Sequence, residues 1–140
     1  MKNLVRTVGA VTVALATTVL ATGGTAAADV TIPFQIDPAS FGNPNGSFDV
    51  PPSRCAAVVG EQPGHATITG RDPGRWGCLI YAEVEWLNLS TGASGTARMS
   101  DGLNGFPPVA TLDTGTGQVA LVLLPLPGTT TPGFATFPVP

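Results

Sequence analysis

Short apolar runs, rich in β-branched residues and bounded by glycine, proline, asparagine or aspartate, recur from residue 30 to the end of the chain. No helical period links these runs, and several of them alternate apolar and polar positions, as a strand with one buried face does. The pattern predicts nine strands, at residues 30–36, 47–51, 55–60, 65–70, 78–89, 95–100, 108–113, 118–126 and 134–139. The chain is therefore predicted to be all-β.

Glycine-rich connections join two pairs of these runs. STGASG (90–95) and DTGTG (113–117) contain residues that tolerate positive φ, so each is predicted to close an antiparallel hairpin. The run QVALVLLPL (118–126) is apolar on both faces and is predicted to be a central strand that ends at Pro125. Short antiparallel strands predict a two-sheet antiparallel sandwich, immunoglobulin-like in general shape, although Trp86 follows both cysteines instead of lying between them.

The first 28 residues have a different character. Lys2 and Arg6 precede an apolar run over residues 8–21, and a tail of small residues ends at Ala28. This is the layout of a secretory signal peptide of bacterial type, so we expect a secreted protein, extracellular or in the cell envelope. The run is too short to span a bilayer comfortably, and no integral membrane segment is expected after cleavage. Residues 29–140 are predicted to form a single domain.

Removal of the signal peptide leaves four arginines against nine carboxylates, no lysine and a net charge of −5. An acidic, lysine-free surface argues against nucleic acid as a partner. The lack of lysine also excludes Schiff-base chemistry, and we expect no cofactor. The terminal segment 125–140 is enriched in proline and threonine. We predict a loop leading into a final edge strand, with an exposed or glycosylated tail as the alternative.

Cys55 and Cys78 are the only cysteines, and both lie in the exported part of the chain. In an oxidising compartment such an isolated pair is predicted to form a disulfide. Closing the intervening loop would stabilise the fold by roughly 3 kcal/mol in the chain-entropy model. A redox pair is less favoured because the spacing is not CxxC, and a metal site is less favoured because two cysteines supply too few ligands.

Glu83 and Glu85 interrupt the longest apolar run, CLIYAEVEWLNL (78–89). Side chains alternate along a strand, so the two glutamates are predicted to share one face. The same face is expected to carry Leu79, Tyr81, Leu87 and Leu89, and the core face is expected to carry Ile80, Ala82, Val84 and Trp86. Two acids on one strand face point the same way, whereas glycosidase carboxylates flank the bond that they cleave. Solvated or partner-facing acids are therefore favoured over a catalytic pair.

His65 is the only histidine, so any Ser-His-Asp or Cys-His mechanism would have to use it. No G-x-S-x-G motif accompanies it, and an exposed turn histidine is the favoured interpretation. Glu61 and Asp72 lack a recognised metal-ligand spacing relative to His65, and no metal site is predicted. Asn45 and Asn88 each begin a triplet that matches the glycosylation acceptor.

The segment RDPGRWGC places Arg71, Arg75 and Trp76 beside the predicted disulfide. Arginine and tryptophan are enriched at interaction hot spots, and a loop held by Cys78 would present them at low entropic cost. The alternative is that Trp76 closes one end of the core. The candidate binding residues are Arg71, Arg75, Trp76, Tyr81, Glu83 and Glu85.

The absence of a recognisable catalytic constellation favours a secreted, non-enzymatic module. We expect it to bind an extracellular or envelope partner, either protein or glycan, through its loops and sheet edges. The alternative is a secreted hydrolase or hydrolase inhibitor that acts through the loop from Arg71 to Trp76. Self-association through exposed sheet edges is a third hypothesis, because lysine, a common edge-blocking residue, is missing.

Overall fold

The computed structural model describes residues 28–39, 42–43, 45–47, 52–72, 77–124 and 131–140. The strands are β1 (Val30–Pro33), β2 (Cys55–Val59), β3 (His65–Gly70), β4 (Glu83–Asn88), β5 (Ser94–Arg98), β6 (Ala110–Asp113), β7 (Gly117–Leu124) and β8 (Gly133–Val139). The first sheet has the order β1-β2-β3-β6 and the second sheet the order β5-β4-β7-β8. All strand pairs are antiparallel, and the predicted two-sheet sandwich is confirmed.

Eight of the nine predicted strands correspond to observed strands. Several other expectations fall on residues outside the described part of the chain. These are the signal peptide up to residue 27, most of the strand predicted at 47–51, the loop residues Arg75 and Trp76, and residues 125–130 of the terminal segment.

The core lies between the two sheets and follows the alternation of most strands, with β2, in which Cys55, Ala56 and Ala57 are all buried, as an exception. Buried side chains come from every second position, as on β3, β7 and β8, because successive side chains point to opposite faces. The largest fully buried apolar side chains are Phe137, Ile68, Met99, Leu112, Leu121, Leu123, Val84 and Val119. Strand β7 lies between β4 and β8, so its predicted central position is confirmed. No helix in the described residues has the length and apolar character needed to cross a bilayer.

The predicted disulfide between Cys55 and Cys78 is confirmed. Cys55 is the first residue of β2 and is fully buried, whereas Cys78 lies in the connection that precedes β4. The bond therefore ties the first sheet to the segment that leads the chain into the second.

One predicted hairpin is confirmed and the other is wrong. Strands β4 and β5 pair around the turn that follows Asn88. Strands β6 and β7, in contrast, belong to different sheets, so the DTGTG segment is an arch between sheets. The side-chain nitrogen of Asn88 donates to the carbonyl oxygens of Thr114 and Thr116 in this arch. Because Asn88 is fully buried, its amide is not accessible as a glycan acceptor in the folded chain.

The long strand predicted at 78–89 begins only at Glu83. Tyr81 adopts a positive φ of 55°, which ends the regular alternation of faces on its N-terminal side. Two predicted positions are wrong for this reason: Ile80 is 36% exposed instead of buried, and Leu79 packs against the core instead of facing outward. From residue 82 onward the predicted alternation holds, with Val84 buried between two exposed glutamates.

After β1 the chain leaves the first sheet and passes along the edge of the second. Ile36 forms a bridge with Phe134, and Ala39 forms one with Thr131. Strand β8 pairs with β7 along its whole length and is the last strand of its sheet. The predicted final edge strand is therefore confirmed.

Candidate binding surface

The outer face of the second sheet is organised in rows of side chains that run across the strands. The central row contains Thr96 on β5, Glu85 on β4, Val122 on β7 and Phe134 on β8. The bridge to Phe134 extends this row to Ile36. Directly opposed residues in antiparallel strands direct their side chains to the same side, so one row changes from polar to apolar across the sheet.

The apolar part of this face is the apolar stripe, which we define as Ile36, Leu87, Val122 and Phe134. Leu87 lies opposite Ala120 and is 42% exposed, and Ile36 is 54% exposed. Val122 and Phe134 are partly buried yet lie outside the core between the sheets. The side chains of Leu87, Val122 and Phe134 line a shallow open groove. Contiguous exposed apolar surface of this kind is typical of an interaction site.

Glu83 and Glu85 form the acidic margin of the same face. Both side chains are exposed, and Glu85 also lines the groove. Glu83 lies opposite Arg98 on β5 and opposite Leu124 on β7. Within the described part of the chain, the ion pairs involve neither glutamate. Two carboxylates therefore border the apolar stripe without a partner cation from the described residues.

Tyr81 and Arg98 form a contact at one corner of this face. The guanidinium carbon of Arg98 lies 5.6 Å from the centroid of the Tyr81 ring, which is cation–π geometry. The Nε of Arg98 also donates to the backbone carbonyl of Tyr81 at 3.2 Å. Arg98 is not among the candidates that the sequence pattern predicts, because only the register of β4 and β5 places it beside Tyr81 and Glu83.

Arg71 is not part of this face. It follows β3 in the first sheet, and its Nη2 atom lies 2.8 Å from Oδ2 of Asp37. The Oδ1 atom of that carboxylate accepts the backbone N–H of Cys55, and Nη1 of Arg54 lies 3.7 Å from Oδ2. Asp37 thus holds the start of β2, the end of β3 and the disulfide together. The structure gives Arg71 a structural contact and separates it from Tyr81, Glu83 and Glu85.

His65 lies at the start of β3 and lines a second, shallow pocket on the outer face of the first sheet. Its Nδ1 atom is 3.0 Å from the carbonyl oxygen of Pro63, and its Nε2 atom is 3.8 Å from a carboxylate oxygen of Asp113. Among the described residues, the hydroxyls that line this pocket are those of Thr67 and Thr111. The described residues contain no cluster of three or more metal-ligating side chains.

Comparison with protein-family descriptions, with curated proteins and with solved structures found no match to this chain.

Proposed function

We propose that this protein is a secreted, non-enzymatic β-sandwich that binds a basic and apolar segment of an extracellular or envelope protein. The observation that carries the proposal is the outer face of the second sheet, where the apolar stripe lies beside the acidic margin. An apolar surface can be buried by a partner, and two adjacent carboxylates favour a partner with arginine or lysine.

Charge and location support the same conclusion. The mature chain would carry a net charge of −5 with no lysine, so long-range steering favours a basic partner. The disulfide between Cys55 and Cys78 fits an extracellular protein, because such bonds persist in oxidising compartments. A signal peptide over residues 1–28 would provide the route of export.

Two synthetic extended peptides test the proposal, one alternating leucine with arginine and the other alternating leucine with glutamate. Fluorescence anisotropy with the labelled peptides measures binding to the purified protein. We expect the basic peptide to bind at least tenfold more tightly than the acidic one. Leu87→Lys should weaken binding of the basic peptide by about tenfold, because it places a charge inside the apolar stripe.

Val109→Lys is the matched control, because Val109 is 41% exposed and lies outside the second sheet, just before β6. It should leave binding unchanged. Equal binding of both peptides, or equal loss from Leu87→Lys and Val109→Lys, would contradict the proposed face.

The hydrolase alternative makes a different prediction for His65, which lines the pocket on the first sheet. In that case the protein would turn over an ester, peptide or glycoside substrate and would lose this activity on His65→Ala. The inhibitor alternative predicts that Trp76→Ala abolishes inhibition of a secreted hydrolase while binding at the second sheet is retained.

A further inference from the structure

The two edge strands of the second sheet differ in how their outward backbone groups are used. On β8 the outward N–H of Phe134 donates to the carbonyl of Ile36 at 2.8 Å. The N–H of Thr136 donates to Oε1 of Gln35 at 2.6 Å. The remaining outward position is Pro138, which has no N–H. Every outward donor of β8 is therefore occupied or absent, and this edge is closed to a further strand.

Strand β5 has the opposite character. The N–H of Met99 donates to the carbonyl of Ala82, so odd-numbered residues of this strand direct their N–H groups toward β4. Even-numbered residues then direct their N–H and C=O groups outward. The next outward group, the N–H of Ser100, donates to the carbonyl of Val109. Within the described part of the chain, β5 has no partner strand on this side. Its outward N–H and C=O groups belong to Ser94, Thr96 and Arg98.

The side chains of β5 do not block this edge. Natural edge strands are commonly protected by lysine, proline, bulges or inward-pointing charges. The sequence of β5 is SGTAR, with small side chains at its first four positions. The charged residue, Arg98, folds back over the ring of Tyr81 and binds its carbonyl. A second strand approaching β5 therefore meets small side chains and backbone groups that have no partner among the described residues.

We infer that β5 pairs with β5 of a second copy of this chain, in an antiparallel arrangement with a two-fold axis beside Thr96. In this register Thr96 lies opposite Thr96 of the second copy, and Ser94 lies opposite Arg98. These are the residues whose N–H and C=O groups point outward, so each opposed pair exchanges two backbone hydrogen bonds. The result is a closed dimer with a continuous eight-stranded sheet, because a two-fold contact uses the same strand of both copies.

The charge pattern is compatible with this register. Threonine opposes threonine at the axis, a favourable cross-strand pair, and no two like charges lie directly opposite each other. The acidic residues Glu83 and Glu85 lie on β4, one strand inward from the interface on each side. The apolar stripes of both copies face the same side of the continuous sheet, so the dimer leaves the proposed binding face open.

The inner side of β5 provides a second, independent observation. The indole of Trp86 lies directly against Gly95, and a Cβ atom at position 95 would be 2.7 Å from Cζ2 of the ring. Trp86 remains partly exposed in the single chain. In the inferred register Gly95 lies opposite Ala97 of the second copy, which would cover the exposed part of this ring. The dimer thus buries an aromatic side chain that the single chain leaves partly in solvent.

A contact through one short strand buries less area than the ~1,200 Å² typical of stable complexes, so we expect a weak dimer. Sedimentation velocity over about 1 μM to 1 mM of purified protein should show a reversible monomer–dimer equilibrium in this weak range. In a Trp76→Phe background, the emission of Trp86 should shift to shorter wavelength as the protein is concentrated. No added ligand is needed, so this experiment is independent of the proposed function.

Charge reversal at the axis tests the register. Thr96→Lys and Thr96→Glu each place two like charges opposite each other, and each should raise the dissociation constant at least tenfold. An equimolar mixture of the two variants should restore association to within about threefold of the unmodified chain, because lysine then opposes glutamate. Thr96 is exposed, so neither substitution disturbs the core.

Thr111→Lys is the matched control, because Thr111 is an exposed threonine on β6, one of the two edge strands of the first sheet. It should leave association unchanged. A monomer at all concentrations, open-ended oligomers, or the same effect of lysine at Thr111 and at Thr96 would overturn the inference. Failure of the mixed variants to associate would overturn it as well.

Discussion

The side-chain amide of Asn88 donates a hydrogen bond to the carbonyl oxygen of Thr114, 2.9 Å away and 26 residues further along the chain. The same nitrogen lies 3.0 Å from the carbonyl oxygen of Thr116. The side-chain oxygen accepts the backbone N–H groups of Ser90 and Thr91. One buried side chain therefore joins the β4–β5 turn of the second sheet to the arch that carries the chain from the first.

Replacing Asn88 should destabilise the fold strongly. Asn88→Ala removes the partner of the buried Thr114 carbonyl and of the partly buried N–H groups of Ser90 and Thr91, and we expect the free energy of unfolding to fall by about 3 kcal/mol. Urea denaturation followed by circular dichroism measures this loss. Asn88→Asp keeps the acceptor for Ser90 and Thr91 but removes the donor for the arch, so it should lose at least as much. A loss below about 1 kcal/mol in both variants would show that the arch is held by other contacts.

The β6–β7 arch is a feature of the fold that the sequence pattern does not predict. Alternation of apolar residues predicts the strands and their buried faces, because burial of one strand face requires an apolar residue at every second position. The DTGTG segment contains the residues of a hairpin turn, yet its strands enter different sheets. The contact between Asn88 and this arch joins residues far apart in sequence. Tyr81 likewise has a positive φ that its residue type does not predict, and Ile80 was misplaced for that reason.

Of the candidate surface, only the residues on β4 were predictable from the sequence. The pattern around Glu83 and Glu85 placed both acids outward together with Leu87, and the structure agrees. Val122 and Phe134 complete the apolar stripe from neighbouring strands, and their positions depend on the register of β4, β7 and β8. A single sequence carries little information about such cross-strand neighbours, since shifting the register by one residue reverses the face of every side chain.

The disulfide should be a major source of stability. It joins Cys55 to Cys78, which are 23 residues apart. The double variant Cys55→Ala/Cys78→Ala should lose about 3 kcal/mol of unfolding free energy, because the unfolded chain regains the freedom of that loop. Urea denaturation of the unmodified chain with and without reducing agent provides the control. Reduction and the double substitution should give the same loss, and an unchanged midpoint in either case would refute the prediction.

Gly95 should be required by the ring of Trp86. A methyl group at position 95 would approach the indole to 2.7 Å, so Gly95→Ala should displace the ring and destabilise the fold by about 1–3 kcal/mol. Trp86→Phe removes the part of the ring that meets this methyl group. A double-mutant cycle measures the coupling. Gly95→Ala should cost much less in the Trp86→Phe background than in the unmodified chain, and equal costs in both backgrounds would contradict the steric explanation.

Gln35 should control whether β8 can pair with another chain. Its side-chain amide accepts the N–H of Thr136 at 2.6 Å and donates to the carbonyl of the same residue at 3.2 Å, across 101 positions of sequence. Gln35 thus occupies the edge of β8 as a neighbouring strand would. Gln35→Ala exposes one outward donor and one outward acceptor, which gives the second sheet a second edge available for pairing.

With both edges of the second sheet available, chains can pair in an open-ended series instead of stopping at a closed dimer. We expect Gln35→Ala to form larger, concentration-dependent assemblies in light scattering, and the Thr136 amide to exchange its hydrogen at least tenfold faster at low concentration. Gln35→Glu retains an acceptor for that amide and adds an edge charge, so it should not form these assemblies. Gln118→Ala removes an exposed glutamine from β7 and should behave like the unmodified chain. If Gln35→Ala left both the particle size and the exchange rate unchanged, then Gln35 would not be what protects this edge.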